Sequence, residues 1–126
     1  MGKKVIYTPK LGKPGLYSQG TLAGNLLFVA GMIATNEQGE VVGKGDIKTQ
    51  TRQVLDNIKA VIEEAGGTLR DVTRTTVYLT DYSNYHGMNE VYGACFPTDP
   101  PARATINVGL RHPDVLIEIE ATAVID

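Results

Sequence analysis

From Ile117 to Ile125 the chain alternates. Ile117, Ile119, Ala121, Ala123 and Ile125 take every second position, and Glu118, Glu120 and Thr122 lie between them. Side chains alternate across a strand, so this segment predicts one face built into a core and another free for chemistry. Lys4 to Tyr7 reads as a short strand ended by Pro9, Gly12, Pro14 and Gly15 mark a loop, and Tyr17 to Thr21 enters a second strand. Leu26 to Gly31 is apolar at nearly every position, which predicts a strand covered on both sides. Asn36 to Gly45 is a turn-rich connection.

A helical period follows. Ile47, Thr51, Val54, Leu55, Ile58, Val61, Ile62 and Ala65 recur at spacings of three and four, with Asp46 placed to cap the start and Gly66-Gly67 to stop the end. Val72 to Thr80 is rich in β-branched residues and predicts a strand, and Asp81 to Asn84 hold cap residues for a second helix. Tyr85, Met88, Tyr92, Cys95 and Phe96 give that helix its apolar stripe, and 104–109 and 116–125 complete the strands. Strands, helix, strand, helix, strands is the order of a two-layer α+β domain with both helices on one sheet face. The opposite face would carry Val29, Tyr78 and Val124 with Glu118 and Thr122, a mixture too apolar for water and too polar for an ordinary core. Burying it against identical subunits resolves the conflict, so the pattern predicts an obligate homo-oligomer with ligand sites at its interfaces.

Composition narrows the classes. A chain of 126 residues with 42% hydrophobic content is expected to form a single domain, 1–126, with a core that needs no disulfide or metal staple. No apolar run approaches the roughly 20 residues of a membrane helix, the first residues lack a signal peptide's apolar stretch, and Cys95 is alone, so a cytoplasmic location is expected. Twelve basic and fourteen acidic residues give a net charge of −2 with no basic, aromatic-interleaved stripe, which argues against a nucleic-acid surface. His86 and His112 lack the spacing of a metal site, the glycine clusters lack a phosphate loop's lysine, and Cys95 reads as a small core residue.

The candidate chemistry lies in the last quarter. Arg103 follows the rigid Pro100-Pro101 corner and offers a planar fork of donors suited to a carboxylate or phosphate. The pattern sets it on a strand next to the one bearing Glu118 and Glu120. The competing reading is structural: charges on the outward face of an edge strand, with Arg103 ion-paired to Glu118 or Glu120.

Several spaced segments resemble the RidA/YjgF family, also called the L-PSP endoribonuclease or reactive-intermediate deaminase family. They are Gly15-Leu16-Tyr17-Ser18-Gln19, Val29-Ala30-Gly31-Met32-Ile33, Gln53 to Gly66, Thr75-Thr76-Val77-Tyr78-Leu79, Asn89-Glu90-Val91-Tyr92, Pro101-Ala102-Arg103 and Ile117-Glu118-Ile119-Glu120-Ala121. The resemblance implies a chorismate-mutase-like two-layer α+β fold, a mixed sheet of about six strands with two helices on one face, assembled as a homotrimer with clefts between subunits. It implies cofactor-independent hydrolysis of reactive 2-enamine and 2-imino acids, such as 2-iminobutanoate and 2-iminopropanoate, to 2-oxo acids and ammonia. By motif, Arg103 matches the residue that binds the substrate carboxylate and Glu118 the carboxylate that positions or activates water. Tyr17 and Asn89 match polar cleft residues, and Gly31 and Thr105 match positions whose backbone groups meet the ligand. Leu16 and Ala30 depart from the family's common proline and serine, and Thr105 stands where some members have cysteine, which leaves substrate preference open. Two other functions are compatible with the same residues: a metabolite-binding or chaperone-like trimer without turnover, and an RNA-acting translation inhibitor.

Overall fold

The elements in chain order are β1 (Lys3–Ile6), β2 (Gly20–Ala23), β3 (Leu26–Met32), α1 (Ile47–Glu64), β4 (Val72–Leu79), α2 (Tyr85–Cys95), β5 (Ala102–Asn107) and β6 (Ile117–Val124). They are seen in a computed structural model that describes residues 2–126. The strands form one mixed sheet, ordered β1-β2-β3-β6-β4-β5. All neighbours run antiparallel except β4 and β5, which are parallel. Parallel neighbours need a crossover, and α2 supplies it.

Helix α1 forms where its period predicts. The Asp46 carboxylate accepts hydrogen bonds from the Lys48 and Thr49 amides, and Gly66, at φ +92°, takes the left-handed turn after the last residues. The start of α2 differs from expectation. Asp81 caps a 3₁₀ turn over Tyr82–Asn84, accepting from the Ser83 amide at 2.8 Å, and Asn84 makes no capping bond of its own.

Both helices cover one face of the sheet. Leu27, Val29, Val77, Leu79, Ile117, Ile119, Ala121 and Ala123 point into this layer and pack with Val54, Leu55, Ile58, Val61, Ile62, Met88 and Tyr92 of the helices. Two buried amides lock α1 to the chain around the sheet. Gln50 donates to the Asp114 carbonyl and accepts from the Leu116 amide, both at 2.9 Å. Asn57 donates to the carbonyls of Ile33 and Thr35.

The register corrects three expectations. Val29 pairs with Ala121 and lies in the helix-covered core, while Phe28 pairs with Thr122 on the opposite face. A run that is apolar on both faces carries no periodicity to decide which residues face the helices. Strand β6 is central, not an edge, and β4 separates it from β5, so Arg103 and Glu118 are not on neighbouring strands. The opposite face exposes Val5, Leu26, Phe28 and Ile106 around Tyr78, Thr122, Val124 and Glu118.

Candidate functional site

Arg103 and Glu118 occupy opposite faces of the sheet. Arg103 is level with Thr75, which is level with Ala121 of the core, whereas Glu118 is level with Tyr78. Strand alternation therefore turns Arg103 towards α2 and Glu118 towards the open face. The ion pair of the competing structural reading is absent: among the described residues Arg103 forms no salt bridge, and Glu120 accepts a hydrogen bond from the Tyr78 hydroxyl at 2.8 Å.

The residues singled out in the sequence fall into two groups. The first surrounds Arg103 and holds Asn89 and Thr105. The half-buried guanidinium donates through Nη1 to Asn89 Oδ1 at 2.7 Å and through Nη2 to Tyr85 Oη at 3.2 Å. Its carbon lies 4.8 Å from the Tyr92 ring centroid and 5.7 Å from that of Tyr85, within the range of cation–π attraction. Tyr92 is fixed in turn by a 2.6 Å hydroxyl contact with Thr75. The Tyr82 hydroxyl donates to the Thr105 carbonyl at 3.1 Å, and the Tyr82 and Tyr85 rings meet edge to face at 5.9 Å. Tyr82, Tyr85, His86, Arg103 and Thr105 line one open cleft.

A guanidinium has five N–H donors. Three are engaged here by neutral acceptors, Asn89 Oδ1, Tyr85 Oη and, at 3.9 Å, Met88 Sδ, so the cation is oriented while its charge stays uncompensated. Such a group binds a planar anion with two parallel hydrogen bonds. The Asn89 amide and then the Arg103 charge hold the Tyr85 phenol below its ordinary pKa, and burial raises that of Tyr92.

The second group holds Tyr17, Gly31 and Glu118. Together with Ala30, Ile33 and Val115 they line a cleft of about 550 Å³. Gly31 is required by close approach: a Cβ there would collide with the Glu118 carboxylate, whose Cδ it would meet at 3.0 Å. Burial, with the nearby Glu120 charge adding to it, raises the Glu118 pKa. A carboxyl shifted in this direction can hold or take a proton closer to neutrality than an exposed one.

Sequence reasoning missed Tyr82 and the functional half of Tyr85 and Tyr92. A signal was present, because Tyr85, Met88, Asn89 and Tyr92 recur at three and four and share one helix face. All four contact Arg103. Cys95 lies at the edge of the core, half-exposed, with Arg52 Nη1 3.4 Å from its sulfur, and burial raises its thiol pKa.

The mixed α+β sheet thus carries an unpaired arginine behind one edge and a glutamate of raised pKa on the opposite face. Comparison with known proteins shows the family. The family model described as Endoribonuclease L-PSP matches residues 10–125. A RutC family protein of Pyrococcus abyssi is 52% identical over 125 residues, covering 98% of each chain. The crystal structure of RidA from an Antarctic Psychrobacter species superposes with a TM-score of 0.90 at 35% identity, covering 97% of this chain and 99% of that one. Escherichia coli TdcF, solved with bound serine, gives a TM-score of 0.89 at 35% identity, covering 98% and 99%. The chain belongs to the RidA/YjgF/L-PSP family.

Proposed function

We propose that this protein hydrolyses 2-imino and 2-enamine acids to 2-oxo acids and ammonia, in clefts shared between the subunits of a homotrimer. The observation that carries the reading is the state of Arg103: half-buried, held by the neutral acceptors of Asn89 and Tyr85, stacked over Tyr92, and paired with no carboxylate. Ordering and partly desolvating an unpaired cation costs free energy that a bound carboxylate offsets.

A bound 2-imino acid presents its carboxylate to the Arg103 fork. The imine carbon then needs a water on one face, and Glu118 is the carboxylate suited to position it. The water oxygen bonds to the imine carbon as the C=N π pair moves onto nitrogen, Glu118 takes a proton from the water and passes it to the carbinolamine nitrogen, and the carbon–nitrogen bond breaks as the hydroxyl gives up its proton and becomes the carbonyl. The products are a 2-oxo acid and ammonia. Much of the rate gain comes from positioning, since a protonated imine is already electrophilic.

One chain turns Arg103 and Glu118 to opposite faces of its sheet, so they meet only if different copies contribute them. The exposed Val5, Leu26, Phe28 and Ile106 on the Glu118 face support association through that face. One subunit would supply Arg103, Asn89 and Thr105, and its neighbour Tyr17, Gly31 and Glu118. The bound serine of TdcF agrees with capture of a small carboxylic acid. The net charge of −2 speaks against RNA as substrate.

The test is ammonia release from 2-iminobutanoate and 2-iminopropanoate, generated in situ by an amino-acid oxidase. Acceleration over solvent hydrolysis that disappears in Arg103→Ala is expected. Binding of 2-oxobutanoate without any acceleration would assign the site to ligand capture alone.

A further inference from the structure

The two tyrosines of the Arg103 cleft use their hydroxyls differently. Tyr82 donates to the Thr105 carbonyl, so its proton is engaged. Tyr85 accepts: Arg103 Nη2 donates to its oxygen at 3.2 Å, the Asn89 amide bonds to it as well, and no described group accepts from it. A phenolic hydroxyl is one donor as well as an acceptor. With these donors against the oxygen, the O–H of Tyr85 points away from them. The ring is held by edge contacts at 5.9 Å to Tyr82 and 5.7 Å to His86, so this direction is set by the fold.

We infer that Tyr85 donates its hydroxyl proton to a polar atom on the β or γ carbon of the bound acid. The site would thereby select small 2-imino and 2-oxo acids that carry a hydroxyl or carbonyl there. The inference rests on the assignment of Arg103 as the carboxylate anchor. Two acceptors on the same Nη nitrogen, each at about 3 Å and about 120° apart, lie roughly 5 Å from one another. A carboxylate oxygen taking the second Nη2 hydrogen is thus too far to receive the Tyr85 proton. That separation instead reaches from a carboxylate oxygen to the atoms on the β and γ carbons of the same small acid. An aliphatic side chain leaves the Tyr85 donor without a partner once the cleft is closed to water, and an acceptor satisfies it.

Calorimetric titration with matched pairs of 2-oxo acids tests this without relying on turnover. The pairs are 2-oxopropanoate with 3-hydroxy-2-oxopropanoate, and 2-oxobutanoate with 4-hydroxy-2-oxobutanoate. The oligomeric wild type should bind the hydroxylated member of at least one pair roughly five- to tenfold more tightly, the worth of one ordinary hydrogen bond. Tyr85→Phe keeps the ring and its contacts and should reduce that ratio to about one, while both variants of each ligand still bind. Arg103→Ala should bind none of them. An unchanged ratio in Tyr85→Phe, or no preference in the wild type, overturns the role of Tyr85 and leaves the anchor intact. Failure of the wild type to bind any of the four, or full binding by Arg103→Ala, overturns the anchor and this inference together.

Discussion

Replacing Arg103 by lysine keeps the charge and removes the geometry, which makes it the sharpest perturbation of the site. In the folded chain Nη1 is fixed by Asn89 at 2.7 Å and Nη2 by Tyr85 at 3.2 Å, leaving hydrogens on two different nitrogens for one carboxylate. A lysine ammonium is a single point on a flexible stem and cannot reach both protein acceptors and both carboxylate oxygens. At least one charge-assisted hydrogen bond to the substrate is lost, worth about 1.5–3 kcal/mol. Since about 1.4 kcal/mol is tenfold in affinity, KM should rise by roughly ten- to a hundredfold. Stability should change little, because Asn89 and Tyr85 are themselves only half-buried and can turn to water. Steady-state ammonia release against imine concentration gives KM and kcat separately, with 2-oxobutanoate titration as an independent check. A lysine variant within twofold of wild type in both would refute bidentate anchoring by this side chain.

Three further outcomes follow from the geometry. Burial raises the Glu118 pKa in the folded state, so its stabilising contribution is full below the ordinary value of 4.5 and is lost as pH rises through the folded pKa. Glu118→Gln should therefore melt with the wild type in acid and above it at neutral pH, and parallel melting curves across that range would argue against the shift. Gly31→Ala puts a methyl group against the Glu118 carboxylate, so kcat should fall towards that of Glu118→Gln; wild-type turnover would show that the carboxylate can move without loss. Gln50→Leu leaves the Asp114 carbonyl and Leu116 amide without their partner, which should cost roughly 2–4 kcal/mol in denaturant unfolding; a loss under about 1 kcal/mol would mean water replaces the amide.

Much of this architecture is legible in the sequence, and the losses have physical reasons. Helix α1 is legible because cap, period and stop agree within one continuous segment, from Asp46 through Gly66. The faces of β6 are legible because its alternation is strict. Sheet order is not, because alternation says which residues share a face and nothing about which strand lies beside it. The insertion of β6 between β3 and β4 depends on contacts distant in sequence, and it turned an expected Arg103–Glu118 neighbourhood into two groups on opposite faces. Arg103 and Glu118 were legible as candidates in the strand pattern, while Tyr17, Gly31, Asn89 and Thr105 came from motif resemblance; the structure divides the six into two groups. Tyr85 and Tyr92 were hidden in a stripe that reads as core, since aromatic rings serve packing and cation binding with the same periodicity.

The proposed division of the site between copies can be tested directly. Arg103→Ala and Glu118→Gln each remove one half, and either homo-oligomer alone should be inactive in imine hydrolysis. When the two are co-expressed with different tags and mixed oligomers are isolated, some interfaces unite an intact Arg103 with an intact Glu118. In any mixed trimer roughly one site in three does so. Mixed oligomers should therefore recover about that fraction of wild-type ammonia release. Verified mixed oligomers that remain as inactive as either parent would contradict a shared active site.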